Sequence, residues 1–533
     1  MDIIDVSMTM NRHITKNSKI IGKNWNDFCQ AMQEKSLILY GITGMINFLW
    51  LRCNSNFKII AAIDNSFEKK GHLLGEFFDE NDLNESKNIV IQSKEALKMF
   101  DPAKTVVLIS SVKSYEAIAK ELDNENFHCY FSILNLEANF REQMKKTHFP
   151  FETKNEYMTN YAKQIVEKIP VCNNKIFFNV PAGYTDHGKY ITEQLLSMNK
   201  NLDIVWLTNN KPVDLPEKIR FVNSTNWKQY VYEMETAKVW VINAVVPTCM
   251  IKRKEQFYIQ TKHWGSITLK RFYLDAAFVA NVGNNKQDWQ INGKWMDYII
   301  TGSEFDEISC QRGFNFDGQF LRYGSPRSDA MFLQEKYKKK IFNYFKLKND
   351  EYTLLYAPTY RFRNGEGGNN DIAKFDLDFE MLLNTLRNKW GGSWKIFLRL
   401  HPSIRNKSKS IKLPNYVIDA SNYDDGQEIV AASDIMISDF SSIMFEPAYV
   451  LKPVFLYSPD KAIYEKNDYE LLIDYDSLPF PISTTNEELS AQILSFDDSD
   501  YKKNVKAFLD KYGVHEDGHA SERAAKFIVG LLS

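Results

Sequence analysis

The 533-residue chain carries 66 Lys and Arg against 68 Asp and Glu, a formal net charge of −2, with 44% hydrophobic and 25% charged residues. This balance excludes a chain-wide nucleic-acid footprint and fits an ordinary globular protein of about two to four domains. Six cysteines (Cys29, Cys53, Cys129, Cys172, Cys249 and Cys310) are scattered without a CxxC pair, so neither a zinc site nor a disulfide framework is expected, and a reducing cytoplasm fits.

Residues 1–34 read as a helix with an irregular lead-in. Met1 to Ser18 has no apolar core of the kind a signal peptide needs. The most apolar segment, Leu37 to Leu51, is bounded by Lys35 and Arg52 and falls short of the ~20 residues that span a bilayer. It reads instead as a strand (Leu37–Tyr40), a glycine turn (Gly41–Gly44) and a helix (Met45–Arg52). A strand from Lys58 to Ile63 ends in Asp64, at the spacing of a ribose-binding acid, although G-x-G-x-x-G is absent. Strands at 88–92 and 105–110 and a helix at 115–122 complete an N-terminal Rossmann-like domain within residues 1–145. A purely structural domain is the alternative, which the degraded glycine motif favours.

The charged, largely helical stretch Arg141 to Ile169 leads into a second block, 146–334. Strands are expected at 175–180, 202–207, 219–222, 239–244 and 256–260, with helices at 189–198 and 227–236. A third block, 335–533, has strands at 353–356, 395–400, 416–419, 435–437 and 454–457. Short strands alternating with helices predict parallel sheets covered on both faces. The fold class expected is therefore α/β, a GT-B type pair of Rossmann-like domains with an additional N-terminal Rossmann-like domain. Ligands in such sheets bind beyond the carboxyl ends of the strands.

Within the third block, Ile435–Ile437, the polar turn Ser438 to Ser442, a helix from Ile443 to Val450 containing Pro447, and the strand ending at Tyr457 form a βαβ unit. The turn sets the Ser441 and Ser442 hydroxyls and free N–H groups at a helix N-terminus, a site for phosphate; simple helix capping is the alternative. Glu446, further along, reaches toward a sugar hydroxyl. Four more motifs stand near strand ends: Gln260-Thr261-Lys262-His263-Trp264-Gly265-Ser266 followed by Leu269-Lys270, Gly324-Ser325-Pro326-Arg327-Ser328-Asp329, Leu355-Tyr356-Ala357-Pro358-Thr359-Tyr360-Arg361, and Arg399-Leu400-His401-Pro402.

This set, in this order, resembles the CDP-glycerol glycerophosphotransferase family of teichoic-acid primases and polymerases and their capsule-building relatives. That family carries Q-T-W-H-G, G-x-P-R-N-D, Y-A-P-T-W-R, L-H-P and T-D-Y-S-S-x-x-F-D elements. The chain matches at Gln260, Thr261 and His263, at Pro326, Arg327 and Asp329, at Tyr356 to Arg361, at Leu400 to Pro402, and at Ser438 to Glu446. The likeness spans about residues 170–480 and leaves out the N-terminal block. Departures are Lys262 before His263, Trp264 between His263 and Gly265, Ser328 for asparagine, Glu446 for aspartate, and Lys466-Asn467-Asp468 where some members have an arginine-glycine pair.

The resemblance implies a donor that is CDP-glycerol or a related CDP-polyol, and an acceptor hydroxyl on a lipid-linked glycan or polyol-phosphate chain. An attacking alcohol must lose its proton, a task suited to a neutral imidazole, so His263 is the expected general base. His401, Arg361, Thr359 and the Ser441/Ser442 turn are expected on the departing CMP, Glu446 on the ribose, and Lys270 and Arg327 on phosphate, with salt bridges as the alternative for those two. Asp376-Leu377-Asp378 and Asp474-Tyr475-Asp476 follow no convincing strand, so neither a metal nor a cofactor is called for. The enzyme is expected in the cytoplasm, peripheral at the inner face of the cell membrane, without nucleic acid, and compatible with a homo-oligomer. The competing readings are a GT-B glycosyltransferase using a nucleotide sugar and a non-catalytic nucleotide-sensing scaffold, against which two histidines at strand ends argue.

Overall fold

The computed structural model describes residues 25–43, 58–66, 69–77, 84–111, 114–133, 135–136, 154–198, 200–209, 211–212, 214–276, 286–361, 371–372, 377–401, 404–405, 412–467 and 470–532. The expected helix at 45–52, and Asp376, Pro402 and Asp468 of the motifs above, lie outside the described residues. The chain divides into two compact units. One comprises Met1–Cys172, Val205–Ala237 and Cys249–Arg253; the other comprises Asn173–Ile204, Lys238–Thr248 and Lys254–Ser533.

In the first unit, strands β1 (Ser36–Tyr40), β2 (Ile59–Ile63), β3 (Ile91–Gln92), β4 (Thr105–Ile109) and β5 (Tyr130–Ser132) form a parallel sheet in the order β3-β2-β1-β4-β5. Successive side chains of a strand point to opposite faces. Leu37, Leu39, Val106 and Leu108 therefore pack with Phe28 on one face, while Ile38, Tyr40, Val107 and Ile109 pack with Ile118 and Leu122 on the other. Both faces are covered, which is why these strands read as unbroken apolar runs. The strand expected at 88–92 shrinks to two residues because Asn84–Asn88 forms a 3-10 turn.

A second sheet contains β6 (Cys172–Asn179), β7 (Asp203–Thr208), β8 (Ile219–Asn223), β9 (Ala237–Ile242), β10 (Phe257–Gln260), β11 (Tyr298–Thr301) and β12 (Gln319–Arg322), in the order β12-β11-β10-β9-β6-β7-β8. Strands β9 to β12 run parallel. The third sheet contains β13 (Glu351–Ala357), β16 (Ser393–Leu398), β17 (Val417–Asp419), β18 (Ile435–Ser438), β19 (Val454–Tyr457) and β20 (Ile482–Ser483) in the all-parallel order β17-β16-β13-β18-β19-β20. A two-stranded antiparallel pair, β14 (Tyr360–Arg361) and β15 (Asp371–Ile372), stands beside it.

Each of the three larger sheets thus starts in its middle, builds outward to one side, then crosses back and builds to the other. That reversal leaves a crevice between the first and fourth strand of each set, where α/β sheets take ligands. In the second unit the crevices are at the carboxyl ends of β6 and β9, and of β13 and β18. The helix expected over 443–450 is shorter: a 3-10 turn, Ser442–Met444, passes into one α-turn, Phe445–Ala448. Pro447 lacks an N–H and Leu451 has φ +58°, so the helix stops there.

Candidate active site

All the motif residues discussed next belong to the second unit. At the crevice of the third sheet, Asp439 follows β18 and organises the turn. Its Oδ1 accepts hydrogen bonds from Thr359 N (2.8 Å), Thr359 Oγ1 (2.6 Å) and Phe440 N (2.7 Å), and its Oδ2 pairs with Arg361 Nη2 at 2.9 Å. Arg361 also donates from Nε to Asp460 Oδ2 and from Nη2 to Asp460 Oδ1, both at 2.8 Å, and from Nη1 to Thr359 O at 2.6 Å. Its guanidinium lies 5.3 Å from the Phe440 ring centre and 5.1 Å from that of Tyr464, two rings stacked at 3.8 Å. Arg361 is buried and its two carboxylate partners raise its pKa against the cost of desolvation. Arg361 and Thr359 therefore brace the turn from behind.

Ser441 and Ser442 are half-buried on that turn. Ser441 Oγ accepts from Ile443 N at 3.4 Å, the capping interaction, and Ser442 Oγ accepts from Leu269 N at 3.0 Å. His401 follows β16 with its ring open to solvent. Desolvation by the surrounding wall, then Lys270, His263 and Arg399, lower its pKa to about 4.

His263 sits in the loop after β10. Gln260 Nε2 donates to Ala244 O at 2.8 Å and its Oε1 accepts from Lys262 N at 2.8 Å. Lys262 adopts φ +55° and buries its ammonium 2.6 Å from Asp306 Oδ2, with neither side chain exposed. Trp264 Nε1 donates to Asp306 Oδ1 at 3.1 Å. One buried carboxylate therefore anchors the residues on both sides of His263, and the imidazole between them faces solvent. This is the structural meaning of the lysine and tryptophan that separate this loop from Q-T-W-H-G.

The His263 ring hydrogen-bonds to the backbone of Asn243, the residue after β9, and has Asp186, Arg327 and Lys270 as charged neighbours. Desolvation dominates and its pKa falls below the ordinary histidine value. His263 acts on His401 electrostatically, and Lys270 acts on both. The Lys270 ammonium is 5.5 Å from the Tyr464 ring centre.

Arg327 lies behind His263. It donates from Nη1 to His263 O at 2.8 Å and from Nε to Glu446 Oε1 at 2.8 Å, and Nη2 pairs with the same oxygen at 2.7 Å. Glu446 is fully buried, and its Oε2 accepts from Ser328 Oγ at 2.6 Å. In this structure Arg327 and Glu446 satisfy one another, and neither opens on the crevice.

Sequence reasoning missed Asp186, His187, Asn243 and Asp306. His187 is buried beneath the loop, its Nε2 2.9 Å from Trp264 O and its Nδ1 3.4 Å from Arg327 N, with its pKa pressed down to about 3 by desolvation. The neutral ring therefore donates from Nε2 and accepts at Nδ1. The available signal was Gly183-Tyr184-Thr185-Asp186-His187, a polar turn directly after β6.

In the first unit, Asp64 is engaged locally. Its Oδ2 accepts from Ile42 N at 2.8 Å and Lys69 Nζ at 3.2 Å, and its Oδ1 from Ser66 N at 2.9 Å. It ties the β1 and β2 loops together. Among the described residues, no three His, Cys, Asp or Glu side chains converge as a metal site, and no helix is long and apolar enough to cross a membrane.

The sequence pattern of CDP-glycerol:poly(glycerophosphate) glycerophosphotransferases matches residues 160–530, well over half of the chain. The chain belongs to this family. It aligns with teichoic acid poly(glycerol phosphate) polymerases: that of Staphylococcus epidermidis at 28% identity over 64% of this chain and 48% of the relative, and that of Bacillus subtilis at 26% over 70% and 52%. The chain thus spans about half the length of these two relatives. Among solved structures it is similar to the wall teichoic acid polymerase TagF, with 26% identity, TM-score 0.63, and coverage of 71% of this chain and 94% of that one. Consistent with that likeness, this chain is a mixed α/β protein of parallel sheets.

Proposed function

We propose that this chain transfers glycerol phosphate from CDP-glycerol to a hydroxyl of a teichoic-acid-like or other cell-surface glycan acceptor, releasing CMP. The second and third sheets serve as a GT-B pair, with 146–334 as the acceptor domain and 335–533 as the donor domain, and 1–145 is an additional Rossmann-like domain. What supports the reading is that His401 feels the charges of both Lys270 and His263, and that Leu269, next to Lys270, is bonded to Ser442 of the turn.

The acceptor oxygen attacks the phosphorus bearing glycerol while its proton passes to the His263 nitrogen not engaged with Asn243. The bond from that phosphorus to the CMP oxygen breaks. A lowered pKa keeps His263 neutral, and so able to accept the proton, at neutral pH. His401 is neutral there as well, so it serves the leaving phosphate as an N–H donor while Lys270 supplies the positive charge. The serine hydroxyls and the N–H groups of the turn complete the cradle. Arg361 and Thr359 hold the turn, and Arg327 and Glu446 hold the His263 loop. The acceptor is lipid-linked, and the chain meets the cytoplasmic face of the membrane peripherally.

The test incubates purified chain with radiolabelled CDP-glycerol, UDP-sugars or CMP-sugars and a polyol-phosphate acceptor, following label transfer and nucleotide release. Transfer from CDP-glycerol, lost by about 10²- to 10⁴-fold in His263→Ala, is the expected result. Turnover of a nucleotide sugar alone, or near-normal transfer by both His263→Ala and His401→Ala, overturns it.

A further inference from the structure

We propose that Asp186 is the positioning residue for His263, holding its ring in place and stabilising the imidazolium formed when the acceptor proton arrives. The inference rests on the reading of His263 as general base.

Two residues triangulate the pair. Asn243 donates from Nδ2 to Asp186 Oδ2 at 3.1 Å, while its backbone takes the hydrogen bond of the His263 ring. Arg327 Nη1 lies 3.4 Å from Asp186 Oδ1 and donates to the His263 carbonyl. The Asp186 carboxylate is therefore linked to the His263 loop through the same two residues that meet the His263 ring and main chain. It sits at the crevice between β6 and β9, in the left-handed region at φ +57°. Of the larger L-residues, Asp and Asn adopt that conformation most readily, and strained backbone of this kind clusters at functional sites.

The charge balance supports the assignment. The groups facing His263 are Asp186 from the helix after β6, Arg327 from the 3-10 segment after β12, Lys270 from its own loop, and His401 from the end of β16. Three of these are cationic or become so on protonation, and all oppose a second positive charge. Among these charged groups Asp186 is the one that favours it, alongside the backbone of Asn243. Without that carboxylate, the proton leaving the acceptor would enter a site whose nearby charged groups oppose it. Asp186 also meets His187, but that ring is already committed to Trp264 O and is buried away from solvent.

The decisive measurement is the pH titration of the His263 ring by NMR in full-length chain labelled at histidine, with the resonance assigned by its loss in His263→Gln. This readout does not depend on turnover. Asp186→Asn keeps the side-chain shape and the tolerated φ. Asp186→Gly keeps the φ without a Cβ, a second variant should the first fail to fold. The expected result is a His263 pKa lower by about one unit in either variant. Where the wild type turns over CDP-glycerol, transfer falls by about 10- to 100-fold, and the acidic limb of the pH–rate profile moves to lower pH by the same amount. A merely structural Asp186 would lower the rate and leave both the limb and the titration in place. An unchanged His263 titration in folded Asp186→Asn overturns the proposal. Inactivity of the wild type toward CDP-glycerol overturns the functional reading instead, and leaves the electrostatic result standing.

Discussion

Arg327 donates from Nη1 to the main-chain carbonyl of His263 at 2.8 Å. The other side of the same guanidinium grips Glu446, which lies in the short helical turn Phe445–Ala448 just after Ser441 and Ser442. One buried side chain thus connects the imidazole loop with the turn expected to meet the leaving phosphate.

Removing that guanidinium should be costly. Arg327→Ala leaves Glu446 buried and uncompensated, for which about 3–5 kcal/mol of destabilisation is expected, read by urea unfolding. Arg327→Lys should recover little, because a point charge cannot reproduce the forked contacts. Arg327→Ala combined with Glu446→Gln should unfold less readily than Arg327→Ala alone. Equal stability of the single and double variants would show that the pairing contributes nothing.

The Lys262–Asp306 pair invites the same test at a second point. Lys262→Met strands the Asp306 carboxylate and is expected to destabilise by about 3–5 kcal/mol, with Lys262→Met/Asp306→Asn restoring part of the loss. Transfer activity should fall in Lys262→Met even where the chain remains folded, since the loop on both sides of His263 leans on Asp306.

Gly265 has a steric requirement rather than a conformational one. A Cβ there would lie 2.7 Å from Glu446 Oε1 and 2.9 Å from the Tyr449 hydroxyl. The carboxylate is clamped by Arg327 and Ser328 and has no room to yield. Gly265→Ala should therefore shift the His263 loop and lower kcat with little change in KM for the donor. Wild-type kcat in this variant would show that the clamp is soft.

Acid should destabilise the protein through its histidines. His187 and His401 have folded pKa values of about 3 and about 4, below the unfolded value near 6.5. Between those limits the unfolded chain binds protons that the folded chain refuses. Buried His187 therefore leaves stability untouched above about pH 6.5 and subtracts about 1.4 kcal/mol per pH unit below it, until its own folded pKa is reached. For solvent-reached His401 the slope is the weaker of the two. Urea midpoints measured from pH 7.5 to 4.5 should fall, and His187→Gln should fall less steeply than wild type.

The parallel strands were legible because burial on both faces makes them unbroken apolar runs. β19 emerges at 454–457 as read, and most others shift by one to three residues. Strands β11 and β12 were not read, being four residues each with Thr301, Gln319 and Arg322 diluting the apolar pattern. The motif residues at strand ends were found by type and order. Their division of labour was not: a linear sequence gives no sign that Arg361 answers to Asp439 and Asp460, or that Arg327 answers to Glu446. Asp186, Asn243 and Asp306 stood in no recognised motif, and they matter only because the fold brings the ends of β6 and β9 and the helix after β11 beneath one loop.

Beyond its bond to Ser442, the stretch leaving His263 is laced to a later part of the chain. Arg271 N donates to Glu470 O at 2.9 Å, and Leu472 N to Leu269 O at 2.8 Å. The segment that leaves the His263 loop is therefore strapped both to the Ser441/Ser442 turn and to residues 470–472, and pulling them apart would unzip this ladder.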